Sequence, residues 1–148
     1  MIIPSRDITK EERQHHIDYV YEIVGYAMDV CKQLPCSLPE YIYQEAFAKV
    51  LRAHNIDPHK EFIYHPHFDG KRMKSYIRTD FMVERQGGNI IVEAKAIDEI
   101  TRVERAQLFG YMVATEFPYG LLVNFANYPR PKIERYYFDK PTMTIVAF

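Results

Sequence analysis

The stretch "RTDFMVERQGGNIIVEAKAI", residues 78–97, predicts a β-hairpin around which the rest of the chain is organised. Two arms rich in apolar residues flank the turn-forming sequence RQGG, residues 85–88. A four-residue loop places Asp80 opposite Glu93, whereas a slip of two residues sets Asp80 against Lys95 instead. Because side chains alternate between the two faces of a sheet, either register keeps these three residues on one face.

Two carboxylates on one face of adjacent strands repel each other, by roughly 3 kcal/mol at about 5 Å and an effective dielectric constant of about 20. A divalent cation between them would reverse the sign, and Mg²⁺ in proteins typically uses one or two carboxylates. Asp80 and Glu93 are therefore a candidate site for Mg²⁺ or Mn²⁺. Lys95 would lie beside a water bound to that metal. There, a cation can stabilise a hydroxide nucleophile or the negative charge that develops on a phosphorus centre under attack. A carboxylate and a lysine two residues apart are also typical of a solvated strand face.

The 148-residue chain has the composition of an ordinary globular protein, with 47% hydrophobic and 14% aromatic residues. Its length predicts one domain over residues 1–148. The formal net charge of -1 means that affinity for nucleic acid has to come from a local basic patch. The two cysteines, Cys31 and Cys36, form neither a zinc motif nor a disulfide framework. The lack of a signal-peptide pattern and of a long apolar run predicts a cytoplasmic protein without membrane contact.

Hydrophobic periodicity predicts two N-terminal helices. Thr9 and Glu12 form a capping-box pattern that opens a long helix ending before Pro35. A second helix is predicted from near Ser37 to residues 54–55, where Asn suits a left-handed cap. The predicted inward stripe of the first helix comprises Ile17, Val20, Tyr21, Val24, Ala27, Met28, Cys31 and Leu34.

The second half predicts an α/β fold of order ααβββαβ with C-terminal strands, in which helices flank a mixed sheet. Strands at residues 60–68 and 71–84 flank an Asp-Gly turn, which is a strong hairpin signal. A second capping box, Thr101 with Glu104, opens a helix over residues 102–115. Strands follow in "GLLVNFA", "KIERYYF" and "TMTIVAF". The predicted inward stripe of the third helix comprises Val103, Ala106, Gln107, Gly110, Tyr111 and Ala114.

These motifs resemble a known group of enzymes. Asp80 followed by Glu93-Ala94-Lys95 is similar to the PD-(D/E)XK nuclease superfamily, and Gln107 to Tyr111 resembles the Q-x-x-x-Y motif of its exonuclease-type branch. More closely, five blocks in the same order resemble the small GxxExxY proteins, over roughly residues 15–138. The blocks are "SLPEYIYQEAF" (37–47), "YIRTDFMVE" (76–84), "IIVEAKAI" (90–97), "ERAQLFGYM" (104–112) and "YGLLVNF" (119–125).

The sequence departs from these patterns at two positions. Ser37 stands where GxxExxY has glycine, and Thr79 stands where the superfamily pattern has proline, whereas Glu40 and Tyr43 match. Ser37 puts a close approach of this loop to a ligand in doubt.

The resemblance implies a restriction-endonuclease-like core and a Mg²⁺- or Mn²⁺-dependent nuclease acting on nucleic acid, with DNA as the expected substrate. Lys95 would position or activate the attacking water, and Gln107 would orient a carboxylate or contact substrate. The implied catalytic residues are Asp80, Glu93, Lys95, Gln107 and Glu40; the implied metal ligands are Asp80, Glu93 and Glu40; the implied substrate contacts are Tyr111, Arg78 and Arg102.

Several of these residues also have purely structural interpretations. Glu40 stands three residues after Ser37 and is alternatively the reciprocal partner in a capping box. Gln107 is alternatively a satisfied core glutamine, and Tyr111 a packing residue one helical turn away. Arg78 is alternatively the solvated neighbour of Lys95.

Scattered cations offer contacts for a phosphate backbone, although such charges are more often plain solvated surface. We favour Arg102 among them, because helix N-termini attract phosphate. The other candidates are "KRMK" (71–74), Arg105, Arg130, Lys132 and Arg135.

Two further functional interpretations remain open. The chain is alternatively an inactive nuclease-like domain that binds nucleic acid or protein, since a fold does not guarantee chemistry. It is alternatively a plain α/β domain in which Lys95 neutralises Asp80 and Glu93. No particular protein partner is predicted.

Overall fold

The computed structural model describes residues 5–148. Residues 1–4, part of the N-terminal stretch in which no signal-peptide pattern was found, lie outside the described residues. Three helices and eight strands follow one another along the described chain. The helices are α1 (Lys10–Gln33), α2 (Glu40–Ala53) and α3 (Arg102–Thr115). The strands are β1 (Pro58–Tyr64), β2 (His67–Phe68), β3 (Lys71–Arg72), β4 (Ile77–Val83), β5 (Ile90–Lys95), β6 (Tyr119–Asn124), β7 (Lys132–Asp139) and β8 (Thr144–Ala147).

Six strands form one mixed sheet in the order β1-β4-β5-β6-β7-β8. Strands β5 and β6 are parallel, and the other neighbouring pairs are antiparallel. A parallel pair needs a crossover connection, which α3 provides here. The predicted α/β fold with a mixed sheet flanked by helices is confirmed, and it is consistent with a restriction-endonuclease-like core.

The β4–β5 hairpin has the register predicted from its four-residue loop. Phe81 pairs with Val92, and Val83 pairs with Ile90, which brings Asp80 level with Glu93 just beyond the last ladder pair. The turn depends on glycine: Gly88 has φ +140°, and a Cβ there would stand 2.3 Å from the Pro118 ring. The pairing of Phe81 with Val92 excludes the slipped register, in which Asp80 would face Lys95.

The helices cover opposite faces of the sheet. The first two pack on one face, where Val20, Phe47 and Leu51 meet Phe81 and Val92. On the other face, Leu108 and Met112 of α3 pack against Ile91 and Leu122. Because side chains alternate along a strand, Asp80, Glu93 and Lys95 lie on the α3 face with Ile91.

The inward face of α1 differs from the predicted stripe. Tyr21, predicted to point inward, is 73% exposed. The buried face is set instead by His16, Val20, Ile23, Ala27 and Val30, which repeat at intervals of three and four. Among residues 5–148, no helix has the length and the apolar character that a membrane span requires.

The observed starts of α1 and α2 agree only in part with those predicted from the sequence. Thr9 caps α1 by accepting the Glu12 N–H, but the Glu12 carboxylate binds Arg6 instead of completing the capping box. Helix α2 begins at Glu40 rather than near Ser37, because Ser37 has φ +71°, which no helical residue adopts. The predicted left-handed cap at Asn55 is confirmed by its φ of +61°.

The capping box and the bounds of α3 are confirmed, but its predicted inward stripe is wrong. Val103 is 74% exposed, and Gln107 and Gly110 are also exposed. The helix instead packs through Leu108 and Met112 over Gly120, where a Cβ would stand 2.4 Å from the Met112 sulfur. Leu108 and Met112 are buried in preference to the small residues of the predicted stripe, because the free energy gained on burial scales with apolar area.

The Asp69-Gly70 turn is confirmed as a two-residue hairpin loop, with φ values of +53° and +73°. The strand after it is not continuous, however. The hairpin closes its own small β2–β3 sheet, and β4 begins only at Ile77.

Candidate active site

Asp80 and Glu93 meet where the β4–β5 ladder ends. Each carboxylate accepts a hydrogen bond from the backbone of the opposite strand: Asp80 Oδ2 from the Ala94 N–H at 2.9 Å, and Glu93 Oε1 from the Asp80 N–H at 3.4 Å. Side chains thus replace the backbone pairing of the two strands. The Glu93 residue is 2% exposed, and Asp80 is half-buried.

Glu93 does not carry its charge easily in this position. Burial, together with the neighbouring Asp80 carboxylate, raises the pKa of Glu93 from 4.5 to about 9. Lys95 opposes this rise only in part, because its Nζ lies 3.7 Å from Glu93 Oε2, an ion-pair distance rather than a hydrogen bond. The pair of acids is therefore short of positive charge, and Lys95 alone does not neutralise it.

Helix α2 holds the end of β5 from the other side. Glu40 Oε1 accepts the Ala96 N–H at 3.1 Å, and Gln44 Nε2 donates to the Ala94 carbonyl at 3.0 Å. The capping-box interpretation of Glu40 is wrong, because the N-cap of α2 is Pro39. Two side chains one helical turn apart thus fix the strand segment from which Glu93 and Lys95 project.

The loop before α2 is fixed by Tyr43. Its hydroxyl donates to the Pro35 carbonyl and accepts the Leu38 N–H at 3.3 Å, while its ring is fully buried. Tyr43 is therefore a core residue with a satisfied hydroxyl, as predicted. Ser37, inside this loop, adopts the left-handed φ that favours the glycine of GxxExxY.

Tyr111 of α3 lies near the acidic pair, and Gln107 stands one helical turn before it on the same helix. Gln107 is exposed rather than a core glutamine, and Tyr111 is half-buried. Burial raises the pKa of the Tyr111 hydroxyl, and the negative charge of Glu93 raises it further, whereas hydrogen bonding by Gln107 opposes the rise. Tyr111 is therefore within electrostatic range of Glu93.

The predicted cations are dispersed around the site. Arg78 is exposed on β4, two residues before Asp80; it pairs with Ile63 of β1, and the β4–β5 register places it level with Lys95 beyond the last ladder pair. Arg102 is exposed at the first position of α3. Arg105 is already bound in bidentate fashion by Glu134, with both distances 2.7 Å.

The three predicted metal ligands do not form one compact cluster. Within residues 5–148, no group of three or more His, Cys, Asp or Glu side chains is arranged to hold a metal ion. Asp80 and Glu93 lie together, whereas the Glu40 carboxylate is directed to the backbone of β5.

Two residues that shape this region, Gln44 and Asn124, were not predicted from the sequence. The detectable signal for Gln44 is its position four residues after Glu40 on a helix. Asn124 interrupts an apolar strand, and a buried amide must find hydrogen bonds. Its side chain, 0% exposed, bonds both the N–H and the carbonyl of Ile97, which fixes the chain as it leaves β5.

The mixed sheet flanked by helices is consistent with a restriction-endonuclease-like fold. The chain matches the family model of the PD-(D/E)XK nuclease superfamily over residues 17–136. Because this match spans most of its length, the protein belongs to the PD-(D/E)XK nuclease superfamily.

One solved structure, titled "Crystal structure of SSO0001", is similar in fold, with a TM-score of 0.50 and 19% sequence identity. The similarity covers 82% of this chain and 61% of that chain, so this protein spans about three fifths of its length. No curated protein matches the sequence.

Proposed function

We propose that this protein is a metal-dependent nuclease that hydrolyses phosphodiester bonds of nucleic acid, with DNA as the expected substrate. The observation that carries the proposal is the buried Glu93 carboxylate beside Asp80, with Lys95 Nζ at 3.7 Å. A pair of acids that lacks positive charge, placed at the motif positions of a nuclease superfamily, is suited to hold a cation.

The donor set fits a hard divalent cation. Asp80 and Glu93 offer carboxylate oxygens on adjacent strands, and Mg²⁺ is often held by one or two carboxylates plus water and phosphate oxygens. When bound, Mg²⁺ or Mn²⁺ neutralises the two acids and lowers the pKa of a water molecule. Glu40 contributes by holding Ala96 through Oε1, and Oε2 is the oxygen that a direct metal contact would use.

The remaining residues serve the phosphodiester substrate. Lys95 positions the attacking water and stabilises charge on phosphorus, while Gln107 orients groups at the exposed side of the acidic pair. Tyr111 contacts the substrate next to Gln107. Arg78 and Arg102 supply cations for the flanking phosphates.

We also propose that the chain is one of the GxxExxY proteins and forms a single domain over residues 1–148 that acts in the cytoplasm. Glu40 and Tyr43 support this assignment, since one is bonded to β5 and the other holds the preceding loop. The left-handed φ of Ser37 supports it as well.

Labelled single- and double-stranded DNA, incubated with the protein and Mg²⁺ or Mn²⁺, tests the nuclease proposal. Cleavage is expected for the wild type and lost in Asp80→Ala and Lys95→Ala. Matched controls are Glu99→Ala, an exposed acid outside the site, and Lys32→Ala, whose side chain is 76% exposed. Cleavage that survives both site substitutions in folded protein contradicts the assignment.

A second candidate is a nuclease-like binding module that no longer turns over. It is favoured by the hydrogen bond from Ala94 N–H to Asp80, which gives this carboxylate a partner within the protein itself. Isothermal titration with Mn²⁺ separates the two candidates. The module predicts no metal binding, whereas the nuclease predicts binding that Asp80→Asn abolishes.

A further inference from the structure

A basic and aromatic hairpin precedes the strand that carries Asp80. It comprises residues 65–76, and we call it the ribbon. Phe68, Met73 and Tyr76 are 75%, 42% and 56% exposed. Single exposed apolar side chains need no explanation, but a group of them in one short hairpin indicates a contact surface.

The ribbon is a fixed element. Its Asp-Gly turn pairs Phe68 with Lys71 and His67 with Arg72. At its base, Met73 N–H donates to the Pro66 carbonyl at 2.9 Å. The rings are therefore held in the solvent by backbone hydrogen bonds.

Each face of the ribbon combines a ring with a cation. Because directly paired residues point to the same side, Phe68 lies beside Lys71 on one face and His67 beside Arg72 on the other. With Lys74 there are three cations against one carboxylate, Asp69, in a chain whose net charge is -1. The local charge is thus opposite in sign to that of the whole protein.

We propose that the ribbon binds single-stranded nucleic acid and delivers it to the acidic pair, an inference that rests on the proposed nuclease function. Cations for phosphates and exposed rings on which bases stack are the two features that such binding requires. Unpaired bases are needed because the bases of a duplex are already stacked on one another.

The ribbon is also within reach of the proposed active site. Tyr76 immediately precedes β4, and Asp80 follows four residues later, at most about 13 Å away along an extended chain. Arg78 lies between them, exposed on the same strand.

Fluorescence anisotropy with labelled 15-nucleotide DNA, RNA and duplex DNA, in EDTA to prevent cleavage, tests the inference. Phe68→Ala/Tyr76→Ala is expected to weaken single-strand binding about tenfold or more. The control, Tyr21→Ala/Tyr128→Ala, removes two rings that are 73% and 80% exposed elsewhere, and it should change binding less than about twofold. A preference for the DNA or the RNA strand identifies the sugar recognised, and either supports the ribbon site.

The cations are tested by the salt dependence of binding. For a single strand, each lost phosphate contact makes the negative slope of log K against log salt less steep by about 0.7. The triple variant Lys71→Gln/Arg72→Gln/Lys74→Gln should therefore reduce the steepness by about 2. The inference is overturned if the ring variant binds like the wild type or if duplex DNA binds as tightly as a single strand. It is also overturned if the ring variant changes self-association in sedimentation instead.

The experiments can contradict the ribbon site and the nuclease proposal independently of each other. Ribbon-dependent binding without any cleavage in Mg²⁺ would contradict the nuclease proposal and leave the ribbon site standing. Cleavage whose KM is unchanged in the ring variant would contradict the ribbon site and leave the nuclease standing.

Discussion

Glu93 should make the metal-free protein less stable as the pH rises. Its pKa is raised from 4.5 to about 9 by burial first and by Asp80 second. Between these two values the native protein holds a proton that the unfolded chain has lost. The free energy of unfolding therefore falls with pH, by about 1.4 kcal/mol per pH unit from this group alone.

Replacing Glu93 with glutamine keeps the shape of the side chain and removes its titration. From about pH 5.5 to about pH 7.5, the wild type should lose roughly 3 kcal/mol relative to Glu93→Gln. For a chain of this length, that difference corresponds to a change in Tm of roughly 6 to 12 °C. Other groups contribute equally to both proteins, including His16, whose pKa is lowered by burial, so the comparison isolates Glu93.

Urea denaturation in EDTA at the two pH values measures the effect. Glu99→Gln, an exposed carboxyl on the loop after β5, is the matched control and should follow the wild type. If wild type and Glu93→Gln change in parallel within about 0.5 kcal/mol, the raised pKa is refuted and the argument for a charge-deficient pair fails with it.

Three more outcomes follow from the same structure. Mn²⁺ should raise the Tm of the wild type by more than that of Asp80→Asn, measured by calorimetry, because a ligand stabilises only the state that binds it. Gly88→Ala should lower stability by about 1 to 3 kcal/mol in urea titration, because of its positive φ and the nearby Pro118, whereas Gly25→Ala, with open space in a helix, should raise it by up to about 1 kcal/mol. Gln44→Met should lower kcat more than it raises KM, because Ala94 loses a fixed partner; an unchanged kcat would contradict a positioning role.

The hairpin and the order of elements were predictable because they depend on local signals. The glycines at 87 and 88 and the alternation of the arms set the register, so Asp80 and Glu93 were placed on one face correctly. The Thr101–Glu104 box set the start of α3 for the same reason. Such signals act over a few residues and are written in the sequence itself.

Helix faces were less predictable because they depend on what packs against the helix. In α3, Gln107 belongs to an exposed face, because Met112 and Leu108 fill the space over Gly120. In α1, Tyr21 is exposed for a related reason, since the sheet accepts the face that contains Ile23. The periodicity of a helix allows neighbouring stripes that differ by one position, and only the partner surface selects between them.

The sequence by itself determined that two acids and a lysine share one face of a β-hairpin, and that the chain resembles the nucleases in which such residues occur. Only the tertiary structure decided their environment. It buries Glu93 to 2% exposure and directs Glu40 and Gln44 onto the backbone of β5 from a helix distant in sequence. The physical reason is that register is a local property of the hairpin, whereas burial, and with it the pKa of Glu93, depends on every element that excludes water from the site.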